Sequence, residues 1–154
     1  MNQLSLSNEL DLYQKGPTPV FLTLQMLVFF VRLDLAFRFF GFERSRAWVM
    51  KKSAGSPLRP TDRRMDELVT RTYRAVVAAT AFYYRQRRDC LPRALAIYHF
   101  LRAKGAPVEL RIGVKKFPVS AHAWVEYRGQ VVDISPNIAR RYVEMKRVAR
   151  ADAE

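Results

Sequence analysis

Apolar residues recur at two different spacings along the chain, and the spacing changes near Pro107. Before Pro107 they recur every three or four residues, which is typical of helices that bury one face. Between residues 108 and 114 they alternate with polar residues or glycine, which predicts a strand that buries one face. We therefore expect an α+β fold in which helices come first and a small antiparallel sheet follows.

Residues 1–60 are predicted to form a helical N-terminal extension that packs on the rest of the chain. Its main helix covers residues 20–40, and Gly41 ends or kinks it before a short second segment that carries Trp48. A stretch rich in Ser, Gly and Pro at 53–60 then marks the boundary of the core.

The core is expected to cover residues 61–150, and residues 151–154 are expected to fray. Thr61 or Asp62 is a suitable N-cap for a helix that runs to about Arg85. The apolar residues that define the buried face of this helix are Met65, Leu68, Val69, Tyr73, Val76 and Val77.

A second core helix is predicted from Cys90 to Lys104. Asp89 is its candidate N-cap, and Gly105 with a proline two residues later fits a helix stop. Strands follow, with Arg128 and Gly129 as a tight turn between the last two. The predicted strands are residues 108–114, 120–127 and 130–134. From Asn137 onward we expect a terminal helix.

The chain is strongly basic, with 27 Lys and Arg against 14 Asp and Glu and a formal net charge of +13. Such a charge suits nucleic acid, an anionic membrane surface or an acidic protein partner. The basic residues are spread along the chain, and no RNA-binding or helix-turn-helix signature accompanies them. We therefore expect no nucleic-acid partner and favour an acidic peptide or protein.

The apolar run at residues 20–31 is interrupted by Gln25 and followed by Arg32 and Asp34. It falls short of the ~20 apolar residues that a transmembrane helix needs, so we expect burial within the protein rather than membrane contact. Alternatively, a partner protein or a membrane surface covers the apolar run. Acidic residues rather than a basic segment precede the run, which argues against a secretory signal and predicts a cytoplasmic protein.

The chain has one cysteine, Cys90, and two histidines, His99 and His122. A single cysteine excludes an intramolecular disulfide. One Cys and two His are too few ligands for a structural zinc site, so we expect no metal and no cofactor. A thiol at a helix start is favoured as thiolate by the unpaired amides and the helix dipole. The negative charge of Asp89 opposes this effect, whereas Arg93, otherwise most simply a solvated helix residue, supports it.

A catalytic thiol also needs a base, and His99 lies about half a turn round the helix from Cys90. His122 lies on the second predicted strand, on one face with Trp124 and Glu126. Asp133 follows on the next strand, within reach of His122, and Glu126 is a weaker choice for the orienting carboxylate. Taken alone, each residue has a simpler structural role, but together their order predicts a Cys90, His122 and Asp133 triad.

Several segments of the core closely resemble the leader peptidase of lasso-peptide biosynthesis, a family with a papain-related, transglutaminase-like core. The resemblance covers about residues 62–137, and the Pro92-Arg93-Ala94 that follows the Cys-Leu pair departs from it. The segments that carry it are 89–96 (DCLPRALA), 101–107 (LRAKGAP), 111–114 (RIGV), 121–126 (AHAWVE) and 132–133 (VD).

The resemblance implies a cysteine peptidase that cuts the leader from a ribosomally made precursor peptide. In the family the catalytic Cys, His and Asp match Cys90, His122 and Asp133. Too little strand-like sequence precedes residue 60 for a fused recognition domain. The resemblance therefore implies the stand-alone form, with a separate leader-recognition protein and an ATP-dependent lasso cyclase as partners.

Two other functions fit the same residues. A transglutaminase-type acyl transferase or amidase would keep the triad and pass the acyl group to an acceptor other than water. A non-enzymatic basic module would bind protein or nucleic acid and would not depend on Cys90.

Overall fold

The computed structural model describes residues 19–52, 62–84, 90–132, 139 and 141–144. These residues form an α+β fold, which confirms the expected fold class. The helices are α1 (Val20–Lys52), α2 (Asp62–Tyr83) and α3 (Cys90–Ala103). The strands are β1 (Val108–Lys115), β2 (Ser120–Tyr127), β3 (Gln130–Val131) and β4 (Val143–Glu144). They form an antiparallel sheet in the order β3-β2-β1-β4.

The core lies between the three helices and one face of the sheet. Helix α3 is central, because it packs against α1, α2, β1 and β2. Leu95 and Ile97 of α3 are fully buried, as is Val125 of β2, and Leu110 of β1 is nearly so. Burial of an aliphatic side chain of this size contributes roughly 1.5–3 kcal/mol. This packing fixes the start of α3 relative to the sheet.

Helix α1 is kinked at Gly41, where φ is 75° and ψ is 175°, as the sequence predicted. Its first arm packs on the core through Met26, Phe30 and Leu33, which are fully buried. Asp34 accepts hydrogen bonds from the hydroxyl groups of Tyr83 (3.0 Å) and Tyr84 (2.7 Å). These bonds fasten α1 to the end of α2.

The expectation that the apolar run would be buried is wrong for the opposite face of α1. By length and composition Val20–Gly41 suffices to cross a membrane, although the core helix of a soluble protein can pass the same test. Only 22% of its most apolar window is buried. The helix is apolar on two sides, and the core covers one of them.

The buried face of α2 matches the predicted spacing with one exception. Met65, Val69, Tyr73 and Val76 are buried, whereas Val77 is 40% exposed. The actual face continues through small residues at 72, 75, 79 and 80 instead. Apolar spacing alone did not distinguish these neighbouring positions.

The predicted hairpin between β2 and β3 is confirmed. Arg128 and Gly129 both have positive φ, 52° and 75°, as a two-residue turn of this hand requires. The terminal helix expected from Asn137 is wrong at Val143 and Glu144, which form β4 and pair with Val114 and Gly113. The strand forms because the edge of β1 offers it a hydrogen-bonding partner. The frayed tail expected at 151–154 lies outside the described residues.

Candidate active site

Cys90 is the first residue of α3, and its thiol is free and partly buried. The 14 residues of α3 span about 21 Å, and the eight residues of β1 span about 26 Å. A short turn through Gly105 joins the two, so they run in opposite directions along each other. Cys90 therefore lies at the end of the sheet where β1 finishes and β2 begins.

His122 lies at that same end, as the third residue of β2. It pairs with Gly113 of β1, and Trp124 pairs with Arg111. Because side chains alternate along a strand, His122, Trp124 and Glu126 share one face, as predicted. Ala123 and Val125 point to the other face and belong to the core.

Two aromatic rings surround His122. Its ring stacks with that of Tyr142 (centroids 5.4 Å apart, 30° between planes) and with that of Trp124 (6.5 Å, 18°). The imidazole is half-buried. Burial lowers the pKa of His122, and the positive charge of Arg93 lowers it further. The neutral imidazole, which can accept a proton, is thereby favoured at neutral pH.

Arg93 connects the helix start with the histidine. It lies three residues after Cys90, and residues at this spacing occupy neighbouring positions on a helix surface. Its positive charge helps to lower the pKa of His122. Arg93 is half-buried, so its interpretation as a simple solvated residue was wrong. The spacing from Cys90 was the signal available in the sequence.

One side of the His122 ring lacks a hydrogen bond. Its Nε2 atom is buried and has no hydrogen-bond partner among the described residues. Asp133, the predicted partner, lies outside those residues, but Val132 before it is described. The amide of Val132 donates to the carbonyl of Val125 at 3.0 Å, so the chain is still attached to β2 at that point.

Glu126, the weaker candidate for orienting His122, has other partners. It accepts a hydrogen bond from Trp124 Nε1 at 3.0 Å and forms an ion pair with Arg111 at 3.3 Å. Arg111 also pairs with Glu109 and Glu144. The cluster ties β4 to β1 and holds Trp124 in place, which is a structural role.

Tyr142 and Gly113 contribute to the site and were not predicted from the sequence. The Ser120 hydroxyl donates to the Tyr142 hydroxyl at 3.5 Å. A Cβ atom on Gly113 would lie 2.8 Å from Tyr142 Cβ and 2.9 Å from Trp124 Cη2. Glycine at 113 therefore leaves the space in which both rings approach the sheet beside His122. The glycine opposite His122 was the only hint in the sequence.

The second histidine is remote from this arrangement. His99 stacks on Phe29 of α1, with centroids 5.0 Å apart and 13° between planes. It meets Phe100 edge-on at 5.4 Å. His99 thus packs between α3 and α1, which agrees with its exclusion as the base for Cys90.

The site combines a thiol at a helix N-terminus with a half-buried imidazole of lowered pKa. These are the two groups that nucleophilic thiol chemistry requires. Among residues 19–52, 62–84, 90–132, 139 and 141–144, no cluster of three or more His, Cys, Asp or Glu side chains could hold a metal ion.

Comparison with known proteins gives one curated relative and one family. The microcin J25-processing protein McjB of Escherichia coli is 36% identical over 52 residues, which is 34% of this chain. The match covers 25% of the length of that relative. It supports the resemblance to lasso-peptide leader peptidases. No solved structure matches the chain significantly.

The family match is much longer than the match to the relative. The model of the transglutaminase-like superfamily covers residues 27–147, well over half of the chain, and includes Cys90, His122 and most of α1. It confirms the transglutaminase-like core expected from the motifs. The chain belongs to the transglutaminase-like superfamily.

Proposed function

We propose that this protein is a cysteine peptidase that removes the leader from a lasso-peptide precursor. The observation that carries the proposal is the effect of Arg93, in the first turn of the helix that Cys90 begins, on the half-buried imidazole of His122. Cys90 begins the helix, and Arg93 one turn later acts on an imidazole whose pKa is already lowered by burial. The family match and the relative McjB, a processing protein for a peptide, support the same reaction class.

In the proposed mechanism, His122 removes the proton from the Cys90 thiol, and the thiolate attacks the carbonyl carbon of the leader-core amide. Amides at the start of α3, including that of Cys90, receive the negative oxygen of the tetrahedral intermediate. His122 then gives its proton to the departing amine of the core peptide. Water, deprotonated by His122, attacks the thioester and releases the leader as a free acid.

Asp133 is assigned the orienting role in this proposal. The buried Nε2 of His122 has no hydrogen-bond partner among the described residues, and a buried polar atom left unpaired costs about 1–3 kcal/mol. Asp133 directly follows Val132, which is bonded to β2. A carboxylate acceptor would fix the tautomer and the ring orientation of His122.

A peptide substrate also suits the surface beside the site. The connection between β1 and β2 leaves the sheet two residues before His122, and it carries Phe117 and Val119. These side chains are 86% and 87% exposed. Exposed apolar side chains at the edge of a catalytic site are suited to contact apolar residues of a bound peptide.

The partners follow from the proposed reaction. The substrate is a precursor peptide made of leader and core, and a separate recognition protein presents the leader. The freed core passes to an ATP-dependent lasso cyclase. We place this reaction in the cytoplasm, where precursor and ATP are both available.

The decisive experiment incubates the protein with a lasso precursor and its recognition protein and follows the products by mass spectrometry. Cys90→Ala and His122→Ala are expected to reduce leader release at least a thousandfold, whereas Arg71→Ala, an exposed site on α2, retains it. Asp133→Asn should reduce leader release less than Cys90→Ala or His122→Ala does. Substantial cleavage by either of the first two variants would rule out the mechanism.

Acyl transfer is the second candidate, because the transglutaminase-like superfamily takes its name from that reaction. In that reaction an amine rather than water takes the acyl group from Cys90. The product distinguishes the two reactions, because transfer yields an amine adduct or crosslink and hydrolysis yields free leader. Adding a primary amine to the assay and measuring the mass of the leader fragment by mass spectrometry distinguishes the two reactions.

A further inference from the structure

The outer face of α1 carries a continuous apolar stripe. Its residues follow each other at steps of four, three, four and four, so they form one line along the helix. Each is 43–72% exposed. The stripe consists of Leu24, Val28, Val31, Leu35 and Phe39. Met26 and Leu33, which are fully buried, lie on the opposite side.

The stripe borders two adjoining cavities, and we call the stripe with these cavities the α1 groove. One cavity, of about 650 Å³, lies between the two arms of α1 and includes Leu35, Phe39 and Trp48. The other, of about 400 Å³, lies between the first arm and α3 and includes Leu24 and Val28. Trp48 lines both cavities. The groove is therefore concave, with separate spaces for bulky side chains.

The charged residues of the groove have one sign. Arg32 lines both cavities, Arg44 lines the larger one, and no acidic residue is among the described residues that line them. Both arginines are exposed. A ligand that fills the groove thus meets apolar walls and positive charge at their edges.

We propose that the α1 groove binds an amphipathic helix of an acidic partner protein, with apolar side chains three and four residues apart and carboxylates beside them. Such a helix would fill the cavities with its apolar side chains and pair its carboxylates with Arg32 and Arg44. A second copy of this chain fits poorly, because each copy carries a net charge of +13 and the same arginines. A flat bilayer surface would not fill the two cavities that border the stripe.

The test uses two synthetic three-heptad peptides that share Leu and Phe at the a and d positions. One has Glu at the flanking positions, and the other has Lys there. Trp48 reports binding by its fluorescence, and Trp48→Phe should remove the signal without removing the binding seen by calorimetry. We expect the Glu peptide to bind at least roughly tenfold more tightly, about 1.4 kcal/mol, and to weaken with salt.

Two variants locate the binding. Leu35→Glu places a carboxylate in the stripe and should abolish binding of the Glu peptide. Phe82→Glu is the matched control, because Phe82 is 78% exposed on α2 and lines neither cavity. It should bind as the unaltered protein does. The measurements are made in Cys90→Ala protein as well, so the result does not depend on the proposed peptidase activity.

Three results would overturn the proposal. The first is no binding of the Glu peptide, or equal binding of both peptides. The second is that the protein sediments with vesicles of three parts phosphatidylcholine to one part phosphatidylglycerol and that Leu35→Glu abolishes this sedimentation. That result would assign the groove to lipid. The third is a dimer in analytical ultracentrifugation that the same variant dissociates.

Discussion

The rings of His122 and Tyr142 stack with their centroids 5.4 Å apart, although 20 residues separate them in the chain. Strand β4 begins directly after Tyr142 and pairs with β1, which brings the tyrosine over the sheet. Tyr142 covers part of the imidazole and limits its contact with water. A less hydrated histidine is harder to protonate, which helps keep it a base.

Gly113→Ala is expected to disrupt the site by overpacking. The added methyl group would lie 2.8 Å from Tyr142 Cβ and 2.9 Å from the Trp124 ring, so both residues must move. We expect a loss of stability of about 1–3 kcal/mol and a larger fall in kcat than unfolding explains. Urea denaturation and the rate of leader release measure the two effects.

Gly129→Ala provides the contrast to this variant. Its methyl group would meet nothing within 4 Å, but its φ of 75° disfavours a side chain. We expect a loss of about 1 kcal/mol with kcat unchanged. Equal kcat values for the two variants would argue against the role assigned to Gly113.

Tyr142 variants should change the protonation of His122. Tyr142→Ala exposes the imidazole, and because burial is the largest cause of its lowered pKa, that pKa should rise toward the ordinary value of about 6.5. Tyr142→Phe keeps the stacked ring and should leave the pKa nearly unchanged. NMR titration of the His122 ring protons measures both. An unchanged pKa in Tyr142→Ala would show that Tyr142 does not shield the site.

The pH dependence of the reaction should follow the charge of Arg93. Because its pKa is lowered, His122 stays neutral to a lower pH than an ordinary histidine does, and the rate of leader release should begin to fall at a correspondingly lower pH. Arg93→Gln removes a repulsive positive charge, raises the pKa of His122 and moves this fall in rate to higher pH. Arg102→Gln, exposed in the last turn of α3, is the control and should not move it.

The lowered pKa of His122 should also make the stability of the protein depend on pH. A histidine whose pKa is lower in the folded protein contributes its full stability above the unfolded value of about 6.5. That contribution falls as the pH drops through the folded pKa. Relative to His122→Gln, the unaltered protein should therefore lose stability between pH 6.5 and the folded pKa. Parallel unfolding curves for the two proteins across this range would contradict the lowered pKa.

The β1 to β2 connection should contribute to substrate binding. Replacement of Phe117 and Val119 by Ser removes two highly exposed apolar side chains beside His122. We expect KM for the precursor to rise about tenfold with kcat nearly unchanged, because the contacts are made before and during the reaction alike. Val77→Ser, on an exposed position of α2, is the control. A fall in kcat with KM unchanged would place these residues in the chemistry instead.

The sequence by itself determined the local elements and the chemistry-bearing residues. Apolar spacing predicted α2 and β1, cap and stop residues predicted α3, and the Arg128-Gly129 pair predicted the hairpin of β2 and β3, because these features depend on near neighbours in the chain. The single Cys90 at a helix start and the order of His122 after it suggested nucleophilic chemistry. The resemblance to known peptidases added the reaction.

Tertiary structure decided which distant residues surround His122 and which surfaces stay exposed. The charge of Arg93 acts on the imidazole because α3 packs along the sheet, and Tyr142 stacks on it because β4 pairs with β1. Val77 and the outer face of α1 are apolar in sequence, yet they are exposed, because the core has room for one face of each helix. Spacing along a chain shows which residues share a face, whereas packing between elements decides which face is covered.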